Sequence, residues 1–364
     1  MEHRICFNCI IRHFSPAWYA SVMGTGGFAN VLYLLSAEMP FLKPVAIALF
    51  FLNIFLFLIF IIPWVGRWFL HFDKLIEDLK HPVMSNFFVT MPVGGLILGT
   101  NFFMIGKEYF SMAFIVTLST ILWIYGVALA LIFGVFVTYN MMITEGIGPE
   151  LTNYSWYITP VASIVVPLLG NLLVKVYAAK NMELAKLINI TDIVFYGIGL
   201  MLFVILSSII LNRFINHAMP HAMATPTFWI ILGPIGVGTV SLMGIADASK
   251  EIGLILVADS LKMLSLILWG FGLWAFVLTV IITIKYLMEG GIPFSLSWWA
   301  FIFPLSAYTL SAFNVFMYTK IQLIYWYTVL LAILLAILWI STFIKSLIGT
   351  LNGTLLVPPE SNKK

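Results

Sequence analysis

The chain predicts an all-α polytopic membrane protein, and three observations lead there. Its 364 residues are 62% hydrophobic and only 9% charged, with a mean hydropathy of +1.06; soluble chains carry roughly 25% charged residues. Apolar runs such as residues 44–66 recur along the whole length, and runs of about 20 residues cross the hydrocarbon core as helices. An aromatic pair followed closely by proline or glycine also repeats, beginning at Trp18, Phe87, Trp156, Phe228 and Trp298, at intervals of 69, 69, 72 and 70.

That period divides one transmembrane domain, 1–364, into five helical hairpins, roughly 14–70, 82–141, 151–213, 222–287 and 290–350. Each hairpin opens with a segment carrying Gly, Pro, Ser, Thr or Asn. Each closes with one dense in Leu, Ile and Phe, as suits contact with lipid. Five hairpins predict ten transmembrane helices with both termini on one side. Arg4, Arg12, Arg67, Lys74, Lys80, Lys345, Lys363 and Lys364 fall on the face of the termini, and the full split of Lys and Arg is ten to eight. The positive-inside rule then leans towards cytoplasmic termini.

The opening segments differ in wording but share a plan. In the first, Gly24, Gly26 and Ala29 satisfy the G-x-G-x-x-G/A pattern of dinucleotide loops. That pattern requires a preceding strand and an acidic residue about 20 positions on; here an uncharged membrane run surrounds it, so the glycines are expected to break a helix. Proline does the same in the others, because it removes a backbone donor. Aligned on the break (Met23, Pro92, Pro160, Pro234, Pro304), one ring precedes it: Val22, Met91, Thr159, Gly233 and Phe303. A second ring, two places after it, is small throughout: Thr25, Gly94, Ala162, Gly236 and Ser306. Small residues at membrane depth either let helices pack closely or leave a lumen. Five equivalent breaks at one period favour five inner helices around a common axis. Phe303 is the one aromatic of its ring; in a chain with 31 Phe, packing is the ordinary role and filling the lumen the alternative.

The opening segments, 14–35, 82–106, 151–174, 222–246 and 290–319, contain no Asp, Glu, Lys, Arg or His. Proton relays place ionisable groups at membrane depth, so a passive conduit selecting by dipoles and width is expected. Exposed N-termini of broken helices would attract anions. Asp259 and Lys262 are spaced to pair on one helix face. His217 and His221, with Pro220 between them, occupy a loop and give no reason to expect haem. The net charge of +3 is too small to argue for nucleic acid. Cys6 and Cys9 form a lone C-x-x-C near His3 and His13, a spacing that permits a metal site without requiring one. No cofactor and no enzymatic activity are expected.

"FSPAWYASVMGTGG" (14–27) and "SWWAFIFPLSAYTLS" (297–311) resemble the tellurite-resistance/dicarboxylate transporter family. That family includes bacterial tellurite-resistance proteins, the fungal malic acid transporter, fungal sulfite exporters and the slow anion channels of plant guard cells. The resemblance spans nearly the whole chain. It implies ten helices with quasi-fivefold symmetry, a homotrimer in the cell membrane with one pore per subunit, and a phenylalanine just before the ninth-helix kink that occludes the pore. The matching residue is Phe303. The ninth-helix wording is most similar to the malic acid branch, which implies small anions of the C4-dicarboxylate class such as malate. Chloride, nitrate, sulfite or tellurite is the alternative.

Overall fold

The computed structural model describes residues 6–254 and 258–357; His3, Arg4, Lys363 and Lys364 lie outside them. Twelve α-helices are present among the described residues, and no strand. They are α1 (Phe7–His13), α2 (Tyr19–Leu35), α3 (Leu42–Leu70), α4 (Phe72–Lys80), α5 (Thr90–Met104), α6 (Met112–Ile143), α7 (Ile158–Ala178), α8 (Met182–Asn216), α9 (Leu232–Glu251), α10 (Ala258–Met288), α11 (Trp299–Thr319) and α12 (Gln322–Leu351). Nine segments among the described residues are long and apolar enough to cross a membrane. Helix α2 has 17 residues and is continued by the 3₁₀ turn Pro16–Trp18.

Composition sorts the long helices into two layers. In α5, α7, α9 and α11, with their leading turns, 67–89% of the most apolar window is buried; in α3, α6, α8, α10 and α12 the share is 17–33%. Helix α2 belongs with the first group, being buried from Ser21 to Leu32. The inner helices form a closed cycle, in which α2 touches α5, α5 touches α7, α7 touches α9, α9 touches α11 and α11 returns to α2. Each is followed by an outer helix that carries the chain back, so all five inner helices begin at the same end.

The repeated aromatic pair explains how each hairpin holds together. The second member of every pair is buried at the start of an inner helix and reaches an outer one. Tyr19 packs edge-on against Phe57 and Phe60 of α3. Phe88 meets Trp64 of α3 and Phe133 of α6. Tyr157 packs on Phe203 of α8 and donates to Ser207 Oγ at 3.0 Å. The indole N–H of Trp229 donates to Thr283 Oγ1 at 2.9 Å, and that of Trp299 to Ser346 Oγ at 3.0 Å. The rings supply close packing, and the polar tips of Tyr157, Trp229 and Trp299 find the partner that burial demands, whereas Tyr19 Oη has none among the described residues.

The expected breaks take a different form. Helix α2 runs uninterrupted through Gly24, Thr25, Gly26 and Gly27. Pro92, Pro160 and Pro234 stand at the third position of α5, α7 and α9, where the missing N–H would have no intrahelical partner anyway. Only Pro304 and Pro167 lie inside an inner helix. What recurs is a passage from 3₁₀ to α geometry, at Tyr19, Thr90, Ile158, Leu232 and Trp299. The glycines serve close approach instead: a Cβ at Gly24 would lie 3.0 Å from Ile302 on α11, and one at Gly26 would lie 2.7 Å from Ile97 on α5.

Two arginines counted towards the charge of the terminus face are internal braces. Arg67 pairs with Asp78 at 2.7 Å and donates to Phe14 O at 2.8 Å, tying α1, α3 and α4 together. Arg213 donates to Pro149 O at 2.7 Å and Ala218 O at 2.8 Å. Lys262 pairs with Asp247 of α9 at 2.6 Å, so the expected Asp259–Lys262 pair is replaced by an interhelical one. Cys6 and Cys9 are joined as a disulfide at the start of α1, and no metal-ligating cluster of His, Cys, Asp or Glu occurs among the described residues.

The packing role of glycine is testable. Gly26→Val inserts two methyl groups and a methine against Asn53, Ile97 and Asn101, and overpacking of this kind costs about 1–3 kcal/mol. Gly134→Ala, where a Cβ meets nothing within 4 Å, is neutral or slightly stabilising. Melting temperatures of the two detergent-purified variants check the contrast.

Candidate pore

Two cavities lie on the axis of the ring, one towards the amino ends of the inner helices and one towards their carboxy ends. All five inner helices or their leading turns contribute to each. The lining residues fall into tiers, one per helical turn. The first is Ala20, Thr90, Ile158, Ile230 and Ala300. The second is Met23, Val161, Gly233 and Phe303, with Val93 at the equivalent place on α5. Below it come Gly27, Ile97, Val237 and Ala307, then Asn30, Thr100, Leu168, Val240 and Leu310, and finally Leu34, Met104, Leu172 and Asn314.

Among the described residues, Phe303 is the one that lines both cavities. It is 5% exposed, on α11 immediately before Pro304. The amino-end cavity holds about 50 Å³, room for one or two waters at about 30 Å³ each. The carboxy-end cavity holds about 290 Å³, close to the roughly 300 Å³ at which small-molecule sites begin. No Asp, Glu, Lys, Arg or His among the described residues lines either cavity. The polar groups on the walls are hydroxyls and amides, and four of them, Asn30, Thr100, Ser306 and Asn314, belong to the carboxy-end cavity.

The sequence rings map onto this geometry only in part. Phe303, Gly233, Pro304 and Ser306 line the axis, as does Met23. Val22 packs against Gly94, whose added Cβ would meet it at 3.3 Å. Met91 turns outward, its sulfur accepting from Tyr125 Oη on α6 at 2.6 Å. Thr25 also faces out, accepting from Trp339 Nε1 on α12 at 3.1 Å. Thr159 donates to Asn86 Oδ1 at 2.8 Å between α7 and the turn before α5. Gly24 is occupied with α11, and Gly236 lies against the backbone of Ala307 and Tyr308. Pro92, Pro160, Pro234 and Ala162 are buried without lining either cavity. The physical reason is register. Relative to the second tier, proline comes one place early on α5 and α7 and one place late on α9 and α11, so alignment on proline rotates two helices against the others.

The search for ionisable groups along the inner segments missed Asp192, which stands on outer helix α8. It has no exposed surface, accepts from Trp123 Nε1 at 3.1 Å and lies against Gly170 of α7. Gly170 is two positions from both Leu168 and Leu172, hence on the far side of α7 from the cavity. At the carboxy-end rim, Lys43 pairs with Glu108 at 2.7 Å and holds that carboxyl below the usual carboxylate range. At the amino-end rim, the Lys345 ammonium stands 4.0 Å over the Trp298 ring.

An apolar outer layer around an inner ring of buried helices defines the chain as a polytopic helical membrane protein. Residues 13–347 match the SLAC1 voltage-dependent anion channel family, and the chain belongs to that family. It is therefore an anion transporter and not an enzyme. An uncharacterized transporter of Methanocaldococcus jannaschii is 40% identical over 86% of this chain and 87% of that protein. A sulfite efflux pump of Arthroderma benhamiae is 26% identical over 82% and 80%. A malic acid transport protein of Schizosaccharomyces pombe is 20% identical over 81% and 68%.

The tiers make a prediction for single cysteines introduced into a Cys6→Ser, Cys9→Ser background. Leu168→Cys and Val240→Cys react with a small methanethiosulfonate reagent, whereas Val166→Cys and Thr239→Cys on the same helices stay unmodified. Equal labelling of the two sets would contradict the register.

Proposed function

We propose that this protein passes small anions across the cell membrane through its five-helix ring, with C4-dicarboxylates such as malate as substrate class and Phe303 as gate. The observation that carries the reading is the position of Phe303 as the only residue, among the described ones, shared by the two axial cavities. Its neighbour Pro304 fixes the local backbone, so passage is opened by rotation of the ring about its side-chain bonds. Met23, Gly233, Pro304 and Ser306 form the wall beside it. Val22, Gly24, Thr25, Met91, Pro92, Gly94, Thr159, Pro160, Ala162, Pro234 and Gly236 set helix starts and spacing behind that wall. The larger cavity, with its amides and hydroxyls, suits a small organic anion better than the amino-end one does.

Helix α2 counts as a tenth crossing segment in this reading, in a quasi-fivefold bundle of ten. Phe7 and Leu356 border one crevice, which supports termini on the same side, assigned to the cytoplasm. A homotrimer with one pore per subunit completes the assembly. A second reading, passage of chloride, nitrate, sulfite or tellurite, is favoured by the higher identity to the sulfite efflux pump than to the malic acid transport protein.

Flux of labelled malate into proteoliposomes tests the proposal. Phe303→Ala is expected to raise it about tenfold or more, the effect of removing roughly 1.4 kcal/mol from a barrier, with Phe303→Leu between Ala and the parent. No increase over the parent in Phe303→Ala would remove the gate assignment. Competition by sulfite that exceeds competition by succinate would replace the dicarboxylate reading with the inorganic one.

A further inference from the structure

The carboxy-end cavity carries one amide whose orientation is set from outside the pore. Asn101 of α5, fully buried, donates through Nδ2 to Gly26 O at 2.9 Å and to Asn30 Oδ1 at 2.8 Å. Its own Oδ1 accepts from Asn53 Nδ2 of α3 at 2.9 Å. A backbone carbonyl can only accept, so Gly26 O fixes which edge of Asn101 carries the hydrogens. Both of those hydrogens are then in use. One of them holds Asn30 with its Oδ1 on Asn101.

The NH₂ edge of Asn30 is consequently the edge left to the cavity wall. Its Nδ2 donates to Thr100 Oγ1 at 3.2 Å, and both residues line the cavity. Thr100 cannot reverse this bond, because its hydroxyl hydrogen goes to Ile97 O at 2.7 Å. One hydrogen of Asn30 thus remains without an acceptor, on a side chain that is 3% exposed. Ser306 gives its one hydrogen to Phe303 O; Asn314 gives one of its two to Leu310 O, but it is half-buried in the last tier and no side-chain relay among the described residues sets its amide. A relay that starts at a backbone carbonyl therefore ends in a donor at the lumen, two tiers below Phe303.

We propose that Asn30 is the anion-resting site of the carboxy-end cavity, where its locked amide donates to an oxyanion or halide and gives no acceptor to a cation. The inference rests on the reading of the cavities as an anion path. It supplies a basis for charge selection in a wall that carries no charge. Asn53 and Asn101 are positioning residues, and Thr100 is a neighbour that holds one of the two hydrogens.

Nitrate is the probe, in two measurements. In the first, nitrate-dependent elevation of melting temperature is read on the detergent-purified protein with Phe303 intact. The parent and Thr100→Val show the elevation, since Thr100→Val frees the second hydrogen, and Asn30→Ala loses it. An equal elevation in Asn30→Ala, or none in the parent, overturns the proposal. In the second, nitrate flux is read in the Phe303→Ala background. Asn30→Ala lowers it about fivefold, as for one hydrogen bond of about 1 kcal/mol. Asn30→Asp lowers it further and shifts the reversal potential towards cations, while Thr100→Val, which frees the second hydrogen, raises it above the background. Loss in Thr100→Val equal to that in Asn30→Asp also overturns it. A Phe303→Ala protein that carries no nitrate, yet shows the Asn30-dependent thermal effect, would remove the pore reading and leave the resting site standing.

Discussion

Five helices can enclose an axis only if the first and last inner ones meet, and here that contact joins α2 to α11 across most of the sequence. The approach is made by residues that lack bulk: Gly24 faces Ile302 and Trp299, and Gly27 faces Ser306. Membrane helices gain little from burying apolar surface against each other, because lipid is equally apolar, so close backbone contact and interhelical hydrogen bonds carry the association. Each remaining junction of the ring has its own device. Asn101 bonds Gly26 O between α5 and α2, Thr159 bonds Asn86 between α7 and the turn before α5, and Ser241 bonds Ile164 O at 2.8 Å between α9 and α7. Between α9 and α11, Gly236 lies on the backbone of Ala307. With the ring closed, the axial cavities and their single shared residue follow.

A wall without charge still has a polarity. All five inner helices start at one end, so their macrodipoles, each equivalent to roughly +0.5 charge at the N-terminus, add at the amino-end mouth. This differs from a set of half-helix termini exposed at mid-membrane, because the 3₁₀ turns lead directly into the α-helices and Pro92, Pro160 and Pro234 occupy first-turn positions. Selection inside the pore then falls to side-chain volume at the Phe303 tier and to amide orientation at the Asn30 tier. Gly233, in the same tier as Phe303, contributes no side chain, which leaves that constriction to Phe303, Met23 and Val161.

Much of this was legible in the sequence, and the reason is physical. The period of the aromatic pairs reports a repeated job, anchoring an inner helix to an outer one, and so it reveals the five hairpins. The contrast between Gly- and Pro-bearing segments and Leu-rich ones reveals which layer meets lipid. Register was less legible. Proline marks where a helix begins, but helix starts and lumen-facing positions are offset by a residue or two, and an offset of one residue turns a side chain by about 100° on a helix of 3.6 residues per turn. Thr25, Met91 and Thr159 turn towards neighbouring helices for that reason, whereas Phe303, Gly233 and Ser306 line the cavities. The Asn53–Asn101–Asn30 relay was hidden because its members come from three helices, and only packing brings them together.

The central claim is that one phenylalanine ring separates two otherwise continuous cavities. A structure of the Phe303→Ala protein in a lipid nanodisc tests it most directly. The account predicts an unchanged ring of inner helices around a single passage that joins the amino-end and carboxy-end cavities. A closed axis, with Met23 or Val161 filling the space or with α11 collapsed against α2, would contradict it.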